Sequence, residues 1–562
     1  MSTDKDIFEE TADSFISLTD YMESFSEKNL KLIGATTDQI LAVQKYWNGV
    51  LTYFDGFNTP FWIALNSFSA VEKEKLISTQ PWETARDYID LMRFNCQVAE
   101  KGFNGSLESV STYHIGQLNK AFTAWFNTIF NIDGDDLADF AIGQAKLIEN
   151  VVELYPQAIR DAKPEFGFHF EEDGYVKAAE TERFFLYQVL PTDKKVNVRE
   201  KGKPVVIIPP YVLGPNILCF LPHENKSYVH GFANQGIPTY IRIMKNIDAV
   251  SAVQTMTGED DARDTRYFCE HVKTKHGGAV TLNGFCQGGF ISVVNLLSGE
   301  LDGLVDALIT CVAPIDGTRS KSLVEYLNHL PPRFRDLGYA VKTLPNGNRV
   351  VDGTVMSWVY KLKSMEREAP LFCLHRDLMM FDRPDKEELK ISKTAAAINH
   401  WLIYDRSDLP EAITKMSFDS YTIPVDKDGT LPVKLFGRKL NFKRMKEKNI
   451  KFLICYAEGD DLVDKETALA PLDYIEAEVT SFPKGHGAIA TSWSNPASSC
   501  ALHKRFGDRD CRGPVRFQLD LDREMEECRR PAFYPEGSVR FQGKPDAVKE
   551  TRCVQPAFPR GV

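Results

Sequence analysis

The chain has 562 residues, with 67 basic against 78 acidic side chains and a formal net charge of −11 at pH 7. That acidic balance speaks against a surface built for nucleic acid or an anionic bilayer, and 43% hydrophobic residues is ordinary for a globular protein with a sizeable core. Its eleven cysteines show no Cys-x-x-Cys pair and no zinc spacing, so no metal or other cofactor is expected, and with no charged-then-apolar leader in "MSTDKDIFEE" the thiols are expected to be reduced and cytoplasmic.

Residues 1–180 read mainly as helix. In "DIFEETADSFISLTDYMESF" the apolar residues Ile7, Phe8, Ala12, Phe15, Ile16, Met22 and Phe25 form a stripe at helical spacing, and "QILAVQKYWNGVLTYF" continues it. Such a stripe packs against a core or a second helix, or offers a surface to a partner or an apolar particle. The run Pro204 to Pro222, "PVVIIPPYVLGPNILCFLP", is broken by prolines and a glycine. It reads as strand, loop and strand or helix, because a spanning helix wants roughly 20 continuous apolar residues.

After Lys201 the pattern changes. "KPVVIIPPYV", "IPTYIRIM", "AVTLNGF" and "GLVDALITCVAPI" read as strands, with helices over "DDARDTRYFCEHVKTKHG" and "GGFISVVNLLSGE" between them. Strands alternating with helices imply an α/β domain, here 181–497, with a mostly parallel sheet. The alternation lapses from about 316 to 449 and resumes with "IKFLICYAEGDD" and "EVTSFPKGHG", so 316–449 is expected to be a helical or irregular cap insertion. Residues 498–562, rich in Arg and Pro, are expected to form a poorly ordered tail.

The strand "AVTLN" runs into "GFCQGG", and an apolar helix runs out of it. Strand, sharp turn and helix are the setting of a nucleophile elbow, with Cys286 at its apex. Side chains at Gly284 and Gly288 would collide with the neighbouring strand and helix. The helix N-terminus favours a thiolate, and the amide of Gln287 points where an oxyanion would form. A cysteine needs a base, and the base an orienting acid, in the order nucleophile, acid, histidine. His486, on the glycine-flanked loop of "FPKGHGAIA", is the candidate base; His375 and His400 fall in the insertion, where packing or surface roles are expected of them. Asp460 and Asp461 compete for the acid, and the spacing Asp-x-x-Val to Val463 favours Asp460. The second oxyanion donor is expected in the loop after "VVIIPPYV", at Val212 with Tyr211 next.

Together these segments resemble the polyhydroxyalkanoate synthases, α/β-hydrolase-like enzymes whose box Gly-x-Cys-x-Gly-Gly reads "GFCQGG" here. The Pro-Pro-aromatic loop "IIPPYV", the segment "INHWLIYDRSDLPEAI", and the blocks "YAEGDDLV" and "KGHGAIA" extend the likeness over roughly 201–495. "IRIMKNIDA" and "GDDLVDKE" depart from the family's pattern, and the tail is unlike it. The resemblance implies an acyltransferase in which Cys286 is acylated by a 3-hydroxyacyl-CoA, His486 is its base, Asp460 orients the histidine, and Val212 lies at the loop oxyanion donor. It further implies a growing polyester as acceptor, a homodimer or a related subunit as partner, and a cytoplasmic place, on polyester granules where polymer accumulates. Two alternatives stand beside it: a thioesterase or intracellular depolymerase on the same fold, and a non-catalytic synthase partner or granule protein.

Overall fold

A computed structural model describes residues 3–78, 80–130, 132–162, 174–382, 391–483 and 485–501; the side chains of Ile7 to Phe25 and the tail beyond residue 501 lie outside the described set. The chain divides into two compact units. The first comprises Met1–Asn66, Pro81–Ala162 and Ser357–Asn399; the second comprises Ser67–Gln80, Lys163–Met356 and His400–Val562.

In the first unit, helix α1 (Thr3–Ser78, up to Asn66), α2 (Pro81–Ile129) and α3 (Leu137–Glu149) carry the apolar stripes. Helix α2 opens on a proline, which needs no intrahelical acceptor there, and α3 opens on a reciprocal cap between Asp136 and Asp139. One side of the stripes builds a core in which Val50, Tyr113 and Leu147 meet Leu374, Leu378 and Phe381. His375 is fully buried there, its Nδ1 2.7 Å from the Leu371 carbonyl and its Nε2 3.2 Å from the Tyr46 hydroxyl, which is packing and not the surface role also expected of it. The other side stays exposed: Ile40, Val43, Trp47 and Leu51 on α1, and Phe103, Leu107, Leu118 and Phe122 on α2.

The second unit is built on an eight-stranded sheet: β1 (Tyr175–Glu180), β2 (Phe184–Val189), β3 (Val205–Ile208), β4 (Thr239–Met244), β5 (Val280–Phe285), β6 (Val305–Cys311), β7 (Lys451–Ala457) and β8 (Glu478–Phe482). Their order is β1-β2-β4-β3-β5-β6-β7-β8. Strands β3 to β8 pair in parallel, while β2 runs antiparallel to both β1 and β4. The central β3 and β5 are buried at every position, as parallel strands covered on both faces must be. Helices α4 (Gly258–His276) and α5 (Gln287–Ser298) make the crossovers before and after β5. The fold is α/β-hydrolase-like.

Two expectations need correcting. Strand β1 falls at the end of the region 1–180 read mainly as helix, and β2 lies within 181–497 but before Lys201, where the strands were read to begin; both are short, and β1 is an edge strand half-exposed on an irregular pattern. The insertion 316–449 is not one element: Ser357–Asn399 belongs to the helical unit, because helix Pro370–Phe381 gives its apolar face to the core of Val50 and Tyr113. The remainder stays with the sheet. It contains α6 (Glu411–Thr422), a three-stranded sheet of Val341–Thr343, Arg349–Val351 and Leu409–Pro410, and the hairpin Thr430–Leu435 with Arg438–Asn441.

Among the described residues no helix is long and apolar enough to cross a membrane. Cys219, Cys269, Cys286, Cys311, Cys455 and Cys500 are buried free thiols, Cys373 is half-buried and Cys96 exposed.

Candidate active site

Strand β5 ends at Phe285 and α5 begins at Gln287; Cys286 between them has φ 52° and ψ −124°. A side chain in that backbone region carries strain on the order of 1–3 kcal/mol, which persists only where the surroundings over-determine it. Here the Cys286 N–H donates to the Cys311 carbonyl of β6 at 2.8 Å, and the Cys286 carbonyl accepts from Gly289 at 2.8 Å. The glycines are there for space. A Cβ at Gly288 would sit 2.2 Å from the Ile208 carbonyl oxygen, and one at Gly284 would sit 2.4 Å from the Gly288 carbonyl oxygen. The elbow is accordingly pressed against β3, and Cys286 is only 9% exposed.

The loops after β7 and β8 bring the acid and the histidine together. His486 Nδ1 lies 2.8 Å from Asp460 Oδ2. The other carboxylate oxygen of Asp460 accepts from the backbone N–H groups of Leu462 and Val463, each at 2.9 Å. That closed turn is the physical content of the Asp-x-x-Val spacing: the acid is held by the amide three residues on. Asp461, the alternative, is exposed. Among the described residues, Nε2 of His486 is buried with no nitrogen or oxygen partner. Burial pulls the ring's pKa down, but the neighbouring Cys286 and the bond to Asp460 outweigh it and hold it up at about 10. The ring therefore keeps its proton through neutrality.

The oxyanion side departs from expectation. The backbone N–H of Gln287, first residue of α5, has no intrahelical acceptor and is available. The amide of Val212 is not free: it donates to the side-chain Oε1 of Gln287 at 3.2 Å, as does Tyr211 at 3.1 Å. The Gln287 Nε2 in turn donates to the Ser417 hydroxyl of α6 at 2.8 Å. The sequence pattern flags the backbone of Gln287 and says nothing of where its long side chain turns.

Sequence reasoning also missed what holds the loop of Tyr211 in place. Arg242 of β4 pairs with Asp261 of α4 at 2.8 Å, both side chains buried. The Tyr211 hydroxyl bonds to Asp261 and accepts from Arg242 at 2.9 Å, and Asn295 of α5 donates to Asp261 at 2.6 Å. An arginine in the middle of the otherwise apolar strand "TYIRIM" was the available signal, since a buried guanidinium demands a buried partner. A cavity of about 590 Å³ is lined by Pro209, Tyr211, Arg242, Lys245, Lys342 and Arg406 among others.

No family model matches this chain, and no curated protein does. Solved structures similar to it include a carboxylesterase of the thaumarchaeon Nitrososphaera gargenis, at 15% identity and TM-score 0.32 over 56% of this chain and 92% of that one. Est1E from Butyrivibrio proteoclasticus aligns at 12% identity and TM-score 0.27, over 56% and 91% of the two chains. A proline iminopeptidase of Mycobacterium smegmatis aligns at 11% and 0.28, over 56% and 92%. Likenesses this loose carry no argument about activity or substrate.

Proposed function

We propose that this chain is an acyltransferase acting through an acyl-cysteine, of the polyhydroxyalkanoate synthase kind. The observation that carries the reading is the site geometry: a strained Cys286 at a helix N-terminus, and Asp460 fixing His486 through Nδ1, with Cys286 among the neighbours that raise that ring's pKa. The Cys286 thiolate attacks the carbonyl of a 3-hydroxyacyl-CoA, the new thioester forms, and CoA leaves as a thiolate that takes the His486 proton. The hydroxyl of another acyl unit then gives its proton to His486 and attacks the acyl-cysteine; an ester bond forms and the cysteine thioester breaks. Exchange of one thioester for another is nearly isoenergetic, which suits a cysteine. The exposed apolar sides of α1 and α2 support a partner role for the helical unit, toward a second subunit or a polyester granule surface in the cytoplasm.

Incubation with 3-hydroxybutyryl-CoA tests the reading. Free CoA with insoluble polymer is the expected result, and Cys286→Ala should abolish CoA release. Free CoA with soluble acid would make the protein a hydrolase on the same triad. No CoA release from the intact chain would leave the non-catalytic partner reading.

A further inference from the structure

We propose that the Gln287 side chain is a stopper in the oxyanion site, latched by Ser417, and that acylation of Cys286 requires it to swing out. This rests on the reading of Cys286 as the acylated nucleophile. The side-chain oxygen of Gln287 takes the N–H groups of both Tyr211 and Val212, at 3.1 and 3.2 Å. A carbonyl oxygen cradled by two backbone donors beside a nucleophile imitates the oxyanion those donors would stabilise. Each N–H serves one well-aligned acceptor, so the stopper and the oxyanion exclude each other. The latch is the 2.8 Å bond from Gln287 Nε2 to the Ser417 hydroxyl, which ties the stopper to α6 of the insertion. Gln287 is buried, so the loop amides are not solvated in its place. Withdrawal of the stopper leaves two loop donors and the Gln287 backbone N–H facing the reacting carbonyl.

Gln287 is thus a positioning residue, and it differs from a simple brace for the loop in the sign of its effect. The experiment compares two reactions of Cys286 in the full-length protein. Acylation by p-nitrophenyl acetate forms the sulfur–carbon bond, passes through an oxyanion and expels p-nitrophenolate. Alkylation by iodoacetamide displaces iodide and forms no oxyanion. Gln287→Ala should speed the acylation burst about tenfold while leaving alkylation nearly unchanged, and Ser417→Ala should give a smaller gain of the same kind. Gln287→Glu should slow acylation at neutral pH, because a carboxylate holds the two amides more firmly and repels the developing charge. Its rate relative to wild type should recover as the pH falls and the carboxylate is protonated. Slower or unchanged acylation in Gln287→Ala, with normal alkylation, would overturn the stopper and leave the nucleophile in place. Wild-type protein that is neither alkylated nor acylated at Cys286 would overturn both.

Discussion

At the scale of residues, the two adjacent aspartates have different work. Asp460 gives one oxygen to His486 and the other to two backbone amides, while Asp461 is exposed. Asp460→Asn should therefore cut turnover by roughly 10³–10⁴-fold, because an amide presents the wrong partner to the ring. Asp461→Asn should change it by less than about tenfold, and steady-state rates of the two variants decide the matter. The histidine makes a second prediction. Its pKa is raised in the folded chain from 6.5 to about 10, so the native state holds this proton more tightly than the unfolded chain does. The stabilisation is complete below pH 6.5 and is lost as the pH rises through 10. Thermal unfolding across that window should show the loss in wild type and a flatter profile in His486→Asn. Cysteine, acid and histidine were legible because each obeys a local rule of spacing or turn chemistry. The stopper was not, since the direction of a glutamine side chain is set by Tyr211 and Ser417, 76 and 130 residues away.

At the scale of elements, β4, α4, α5 and the loop after β3 meet in one buried polar network around Asp261. Removing one partner of a buried ion pair leaves the other charge uncompensated, which costs about 3–5 kcal/mol. Asp261→Ala should lose that much in denaturant unfolding and should also impair acylation, because Tyr211 is no longer anchored beside the oxyanion donors. Arg242→Met with Asp261→Leu should recover much of the stability without recovering the rate. Of the central strands, β3 could be read from composition as a continuous apolar run, whereas β5, also buried at every position, carries Thr281 and Asn283 and was legible from the elbow it runs into. The first two strands could not. β2 is defined by its pairing with β4, a neighbour across the intervening β3 in sequence, and β1 only by its pairing with β2.

At the scale of the whole molecule, the sequence order and the compact units disagree. Ser357–Asn399 lies between segments of the second unit in the chain yet shares a core with α1 and α2. Periodicity marks an apolar face and does not name what covers it, so the insertion looked like one cap, and the helical stripes did not reveal which side would stay bare. The thiols give the molecule a built-in clock. Burial pushes Cys219 and Cys269 up to about 12 and Cys373 up to about 11, while Cys96 stands exposed. With a thiol reagent in excess and each peptide followed by mass spectrometry, Cys96 should be modified first and Cys373 later. The buried set other than Cys286 should react only as fast as the sheet and its helices open. Their half-times would order the openings of the native chain without any engineered probe. Cys286 should keep a time of its own, set by the elbow's immediate cover, and be modified well before Cys311 and Cys455 in the strands behind it.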